Sequence, residues 1–191
     1  MKRILLMLVA LGICTGVSAA IPEPEFSGEV LAVYQDGTTE RLEKQNVKIK
    51  TGAGVYVAGF AVNKMKTKIV VNGGQAQVRF AEDEPVALVV RAVDNRTDPM
   101  SIVRVFKMKH NKKQRSAVIS AVGTFSATSN DMDYLPFSAK KHGESSYLLT
   151  FDRPAQGEYG VIISNPNNVD EKMVIVSTFG IGSMDEEPCA E

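Results

Sequence analysis

Short apolar segments, separated by turn residues at intervals of about ten residues, constrain the fold of this 191-residue chain most strongly. Residues 75–80 alternate polar and apolar side chains, which predicts a strand with one buried and one wet face. Residues 86–93 are apolar at both parities, which predicts a central strand covered on both faces. No long segment has the 3.6-residue period of an amphipathic helix. The pattern therefore predicts an all-β fold, an antiparallel β-sandwich of Ig-like or related type with few or no helices.

Two glycine-containing turns predict hairpins. Asp36-Gly37 favours a type I′ turn, which needs positive φ at both central residues, and Asn72-Gly73-Gly74 marks a second turn. The segments expected to pair are residues 30–34 with 39–42 and residues 68–71 with 75–80.

The remaining strands follow from apolar runs bounded by loop residues. Residues 100–109 are expected to form a strand that is apolar along most of its length and becomes basic as it leaves the core. Residues 110–114 would be its turn, and residues 123–143, which lack a strong period, would be a long crossover or loop. Other predicted strands are residues 116–122, 147–151, 159–164 and 173–179.

The first twenty residues have the pattern of a secretory signal peptide. Lys2 and Arg3 precede an apolar run over residues 4–13, and small residues follow up to Ala20. We therefore expect residues 1–20 to be a signal peptide, 21–182 a single β-sandwich domain, and 183–191 an acidic flexible tail. Residues 26–66 could instead form a small β unit of their own, but no Pro/Ser-rich break separates them from the rest.

An export signal without an intramolecular disulfide predicts a protein of a bacterial envelope, in the periplasm or at the cell surface. Cys14 would leave with the signal peptide and Cys189 cannot form an intramolecular disulfide alone. Cys14 could also be the acylated cysteine of a bacterial lipoprotein. The residue before such a cysteine is normally small, whereas Ile13 precedes Cys14, so an ordinary cleavage site is favoured. The mature chain would keep 20 basic and 22 acidic residues, a net charge near −2, so nucleic acid is not an expected partner. No later segment is long enough to be a transmembrane helix.

A basic segment is the strongest candidate binding site in the sequence. It would offer a local anion site for a lipid headgroup, an acidic glycan or an acidic protein surface. The alternative is that these residues form a solvated hairpin tip without a ligand, where lysines discourage edge-to-edge pairing of sheets. No aromatic residue interleaves them for base stacking. The candidate contact residues are Lys107, Lys109, His110, Lys112, Lys113 and Arg115, with a second small cluster at Lys140, Lys141 and His142.

No motif predicts a cofactor or a metal. Two loops carry oxygen ligands of the kind that calcium prefers, but both lack the glycine and glutamate of an EF-hand and suit ordinary turns. These loops contain Asp94, Asn95 and Asp98, and Asn130, Asp131 and Asp133.

Catalysis has little support in the sequence, and we do not expect an enzyme. The histidines are His110 and His142, and the segment around Ser145 and Ser146 breaks the G-x-S-x-G pattern at its last position. A carboxylate pair needs only spatial proximity, so a small envelope hydrolase stays an alternative.

Five phrases in the chain carry a resemblance to known proteins. They are Gly28-Glu29-Val30, the run from Asp98 to Phe106, Gly143 to Tyr147, Gly157-Glu158-Tyr159-Gly160, and Ser177 to Ile181. Together they resemble a group of exported Bacteroidetes-type proteins that have no assigned function. The turn-to-strand phrase from Pro154 to Gly160 also resembles the closing strands of Ig-like and carboxypeptidase-regulatory-like sandwiches. The resemblance implies a periplasmic or surface β-sandwich and assigns no functional residues.

The sequence as a whole predicts an exported, non-catalytic binding or accessory protein. The alternatives are the small envelope hydrolase and a structural subunit that assembles through an exposed sheet edge.

Overall fold

The computed structural model describes residues 20–51, 56–57, 60–61, 65–123, 126–129, 132–164 and 174–183. Strands dominate this part of the chain, which confirms the predicted all-β, sandwich-like class. The elements are β1 Val30–Val33, β2 Thr39–Arg41, β3 Glu43–Thr51, β4 Tyr56–Val57, β5 Phe60–Ala61, β6 Met65–Asn72, β7 Arg79–Phe80, β8 Ala87–Arg91, α1 Pro99–Ile102, β9 Val103–His110, β10 Gln114–Gly123, β11 Ser126–Ser129, β12 Ser138–His142, β13 Ser146–Thr150, β14 Gly157–Ile163 and β15 Val174–Ile181.

The first sheet has five antiparallel strands in the order β12-β13-β8-β1-β2. β8 lies at its centre, and Leu88, Val89 and Val90 are fully buried. The prediction of a central strand covered on both faces is therefore confirmed.

The second sheet has eight strands and closes almost completely on itself. Its order is β11-β10-β6-β3-β15-β14-β9, and β9 also pairs with β10 through His110–Arg115 and Lys109–Ser116. β7 joins the end of β15 in a parallel pair, whereas the other pairings in this sheet are antiparallel. β4 and β5 pair with each other.

The described residues form two separate hydrophobic cores. The first lies between the sheets, where the Tyr159 ring stacks on Phe179 with centroids 5.2 Å apart and Phe80 meets Phe179 edge-on. The second fills the interior of the closed sheet. β9 serves both, because Val105 packs into the first core and the next residue, Phe106, packs into the second. This division explains why β9 is apolar at both parities.

The first predicted hairpin is present, but its turn type is different. β1 and β2 pair as expected. Gly37 has a φ of 82°, whereas Asp36 has a negative φ, so the turn is not type I′. The Gly37 N–H donates to the Tyr34 carbonyl at 3.0 Å, and Asp36 Oδ1 accepts from the Thr38 N–H at 2.8 Å. These bonds stabilise a longer loop than the sequence predicts.

The second predicted hairpin is wrong. β6 pairs with β10 and β3, whereas β7 pairs with β15. The Gly73 N–H donates to the Lys113 carbonyl, so the glycine loop packs on the β9–β10 turn instead of reversing the chain. Burial alternates over residues 75–80 as predicted, since Ala76, Val78 and Phe80 are buried and their neighbours are not, but only Arg79–Phe80 form a strand.

Two other segments differ from their predictions. Residues 99–102 form α1 instead of the start of a strand, because Asp98 Oδ1 caps the Met100 N–H at 3.0 Å and Pro99 suits a first helical turn. Residues 123–143 contain β11 and β12 instead of an irregular crossover. β12 is an edge strand whose mostly polar residues give no apolar period. The predicted signal peptide, apart from Ala20, and the acidic tail, apart from Ser183, lie outside the described residues.

Candidate functional site

The β9–β10 turn presents an exposed cationic surface, which we call the basic tip (Lys109, His110, Lys112 and Lys113). Asn111 Oδ1 accepts the N–H groups of Lys113 and Gln114 at 2.9 and 3.0 Å, and the Lys113 carbonyl accepts from Gly73. The lysines of the tip are exposed, and His110 is half-buried. The backbone of the tip is thus fixed by bonds that do not involve its charged groups.

Lys107 and Arg115, the other two predicted contact residues, lie outside the tip. Lys107 is half-buried on β9, where its Cε lies 2.8 Å from the position that a Cβ on Gly157 would take. Arg115 is fully buried inside the closed sheet. Its parity on β10 is that of the buried Ala117, which points both side chains inward.

Arg115 is bound on all sides by protein groups. Its Nε donates to the Gly73 carbonyl at 3.0 Å, Nη1 donates to Thr178 Oγ1 at 2.8 Å, and Nη2 pairs with Glu43 Oε1 at 2.6 Å. Glu158, also fully buried, lies 3.7 Å from Nη1. A buried charge of this kind is tolerated when it is paired and hydrogen-bonded. Arg115 is therefore an interior residue and not a contact for an external anion.

Glu158 extends this arrangement to β7. Its Oε2 accepts the Ala76 N–H at 2.8 Å, and its Oε1 pairs with Arg79. Arg79 donates in turn to the Gly182 carbonyl from Nε and Nη2. Two arginines and two glutamates thus balance in charge and join β3, β7, β10, β14 and β15. We call this set the buried ion network: Glu43, Arg79, Arg115, Glu158 and Thr178.

The loop residues considered for calcium have ordinary structural roles. Asp94 Oδ1 accepts the Arg96 N–H, Asp98 caps α1, and Asn95 donates to the Gly143 carbonyl at 3.1 Å. Asn130 and Asp131 lie outside the described residues. Within the part of the chain that the structure describes, no three His, Cys, Asp or Glu side chains are placed to hold a metal ion.

Of the residues considered for nucleophilic hydrolysis, Ser145 and Ser146 have buried hydroxyl oxygens, whereas His142 is half-buried. His142 and Ser146 lie directly opposite each other on β12 and β13. Ser146 is fully buried, and His142 Nε2 lies 3.0 Å from the Ile21 carbonyl oxygen. Neither residue lines the two cavities described below.

Residues 21–26 lie across the end of the five-stranded sheet. The Glu23 carboxylate accepts the N–H groups of Glu144 and Ser145, both at 3.1 Å. The pKa of Glu23 is lowered to about 2 by the Ser146 hydroxyl and by these two N–H groups. The hydroxyl lies near the carboxylate without reaching hydrogen-bond geometry. The Glu23 side chain fits here because Gly143, at a φ of 57°, has no Cβ. A Cβ at this position would lie 2.2 Å from Glu23 Cδ.

Two adjoining cavities of about 510 and 470 Å³ lie at the end of the sandwich where β1, β7 and β13 lead into loops. Asp83 and Glu84 line both, and the buried side chains of Val86, Phe151 and Ile181 line the second. We call the carboxylates around them the acidic groove: Asp36, Glu82, Asp83, Glu84 and Asp152.

The acidic groove is not apparent in the sequence. Its lining includes one cationic residue, Arg153. The available signal was the run Glu82-Asp83-Glu84, which follows the alternating polar and apolar residues 75–80.

Comparison of the chain with protein-family models, with curated proteins and with solved structures finds no match. No helix in the described part of the chain is long and apolar enough to cross a bilayer. Function must therefore be argued from the surfaces themselves.

Proposed function

We propose that the protein is an exported, non-catalytic binding or accessory protein of a bacterial envelope, in the periplasm or at the cell surface. The basic tip would be its contact with an acidic partner, which could be a protein surface, a glycan or a lipid headgroup. The observation that carries the proposal is the exposure of Lys109, Lys112 and Lys113 on one fixed turn.

Fixed presentation favours binding because little conformational freedom of the backbone remains to be lost on association. The Asn111 bonds and the Gly73 contact hold the turn through backbone groups and the Asn111 amide, which leaves the lysine ammonium groups out of these bonds. Several like charges on one projecting turn also produce a local field that attracts and orients an anionic partner.

The alternative of a small hydrolase has one observation in its favour, the carboxylates of the acidic groove around an apolar floor. Acid–base hydrolysis of a glycoside needs two such carboxyl groups. Turnover of a panel of chromogenic glycosides that is abolished by Asp83→Asn and by Asp152→Asn would support this alternative, whereas turnover in neither wild type nor variant would end it.

The test of the basic tip is retention on immobilised poly-L-glutamate as a function of NaCl concentration. Lys112→Glu/Lys113→Glu should elute at much lower salt than wild type, because salt screens exposed charges. Lys140→Glu/Lys141→Glu is the matched control, since it changes the net charge equally on the exposed edge strand β12. Equal loss of retention in both variants would show that only net charge matters, and the proposal would fail.

A further inference from the structure

We propose that the partner of the basic tip is the acidic groove of a second copy of this chain. The inference rests on the proposed function, since it names the acidic surface that the tip contacts. Its basis is the position of the two surfaces, which are opposite in charge and lie at the same end of the molecule.

The strand registers place them at one end. Met108 pairs with Glu158, Gly157 pairs with Ile181, and Phe80 also pairs with Ile181. β9, β15 and β7 run in the same direction, so the turn after His110 and the loop after Phe80 both project beyond the same sheet edge. β14 and β15 separate them, which corresponds to three interstrand steps of about 4.8 Å each, or about 14 Å along the curved sheet.

The acidic groove has carboxylates available to a partner. Glu82, Asp83 and Asp152 are exposed, and none makes a hydrogen bond or ion pair with another described residue. The exposed Pro85 and the half-buried Pro154 also line the groove and can pack against the aliphatic stem of a lysine, whose ammonium group would then reach the carboxylates at the rim.

Two surfaces on the same end can satisfy each other in a closed pair. When two copies meet end to end about a two-fold axis, the tip of each copy faces the groove of the other, and each contact occurs twice. If the basic tip and the acidic groove lay at opposite ends of the molecule, successive copies would instead join head to tail in an open chain. A two-fold dimer therefore satisfies both surfaces of each copy.

Such a dimer should depend strongly on salt, because exposed ion pairs contribute little individually and are screened within about 10 Å at 0.1 M ionic strength. Sedimentation velocity should show a mass that rises toward the dimer with protein concentration in 20 mM NaCl and returns to the monomer in 500 mM NaCl. Lys140→Glu/Lys141→Glu should behave as wild type.

Charge reversal on each surface gives the decisive comparison. Lys112→Glu/Lys113→Glu and Glu82→Lys/Asp83→Lys should each remain monomeric, whereas their equimolar mixture should form the dimer again, since both contacts regain opposite charges. Circular dichroism would confirm that each variant is folded.

Two results would overturn the dimer. One is a wild-type protein that stays monomeric in 20 mM NaCl at every concentration, and the other is a mixture that does not associate. If poly-glutamate retention still depends on the tip in either case, the proposed function stands and only its partner is wrong. If the dimer forms but retention does not depend on the tip, the general affinity for acidic partners fails instead.

Discussion

Arg115 Nη2 lies 2.6 Å from Glu43 Oε1 in the interior of the closed sheet, although Arg115 follows the exposed Lys113 by only two residues. The two cations differ in environment because strand β10 begins between them and turns Arg115 inward. The basic residues around the β9–β10 turn therefore fall into two groups. Arg115 is a paired interior cation that links strands of the closed sheet, and Lys113 is an exposed cation.

Gly143→Ala should destabilise the fold more than Gly37→Ala. Both positions have positive φ, which costs an alanine about 1–2 kcal/mol. No atom of the described residues lies within 4 Å of a Cβ at Gly37, whereas a Cβ at Gly143 would meet the Glu23 side chain. We expect an additional loss of about 1 kcal/mol or more for Gly143→Ala in urea unfolding.

The Glu23 contact can be isolated by repeating Gly143→Ala in a Glu23→Ala background. The additional loss should then disappear, because the side chain that the new methyl group would meet is gone. An unchanged loss would mean that Gly143 is required only for its backbone conformation.

Glu23→Gln should change the pH dependence of stability. The Ser146 hydroxyl and two backbone N–H groups lower the pKa of Glu23 from 4.5 to about 2. A lowered pKa in the folded state stabilises the fold fully above pH 4.5, and the contribution is lost as the pH falls toward 2. The difference in unfolding free energy between wild type and variant should be about 1 kcal/mol at pH 7 and should shrink by pH 3.

Glu25→Gln is the control for Glu23→Gln. Glu25 is exposed and lies 3.9 Å from an exposed arginine, so its removal should cost little at any pH. A Glu23→Gln effect that is the same at pH 7 and pH 3 would contradict the role assigned to the charged carboxylate.

Arg153→Gly should raise the thermal stability. Arg153 has a φ of 43° and precedes Pro154, a combination that costs a residue with a Cβ about 1 kcal/mol or more. Glycine adopts this conformation without strain but loses more chain entropy on folding, so we expect a net gain of about 0.5 kcal/mol. The exposed neighbour Asp152 gives the control: Asp152→Gly should lower the melting temperature, and a fall of the same size for Arg153→Gly would refute the strain.

Much of the sheet structure can be predicted from sequence because burial imposes period two on the strands. The apolar runs of β8, β13, β14 and β15 are each recognisable for this reason. β12 is not, since an edge strand with two lysines has no buried face to repeat. The pairing of β6 with β10 instead of β7 depends on a contact between distant turns, which local turn chemistry does not contain.

The candidate sites also include features that can be read from the sequence and features that appear only in the folded chain. The lysines of the basic tip lie within five residues of one another and can be read directly from the sequence, whereas the inward direction of Arg115 depends on where β10 begins. The acidic groove combines residues from three loops, at 34–36, 81–86 and 151–154, and so exists only in the folded chain. Glu158 looks like an ordinary polar residue until its partner Arg79, far away in sequence, is placed beside it.

The most direct test of this account is the unfolding free energy of Arg115→Met compared with Lys113→Met, measured in urea at pH 7. Arg115→Met removes the cation that pairs with Glu43 and Glu158, so we expect a loss of about 3–5 kcal/mol. Lys113→Met should stay within about 0.5 kcal/mol of wild type, because its side chain is exposed. Equal and small effects of the two substitutions would contradict the separation of the buried ion network from the basic tip.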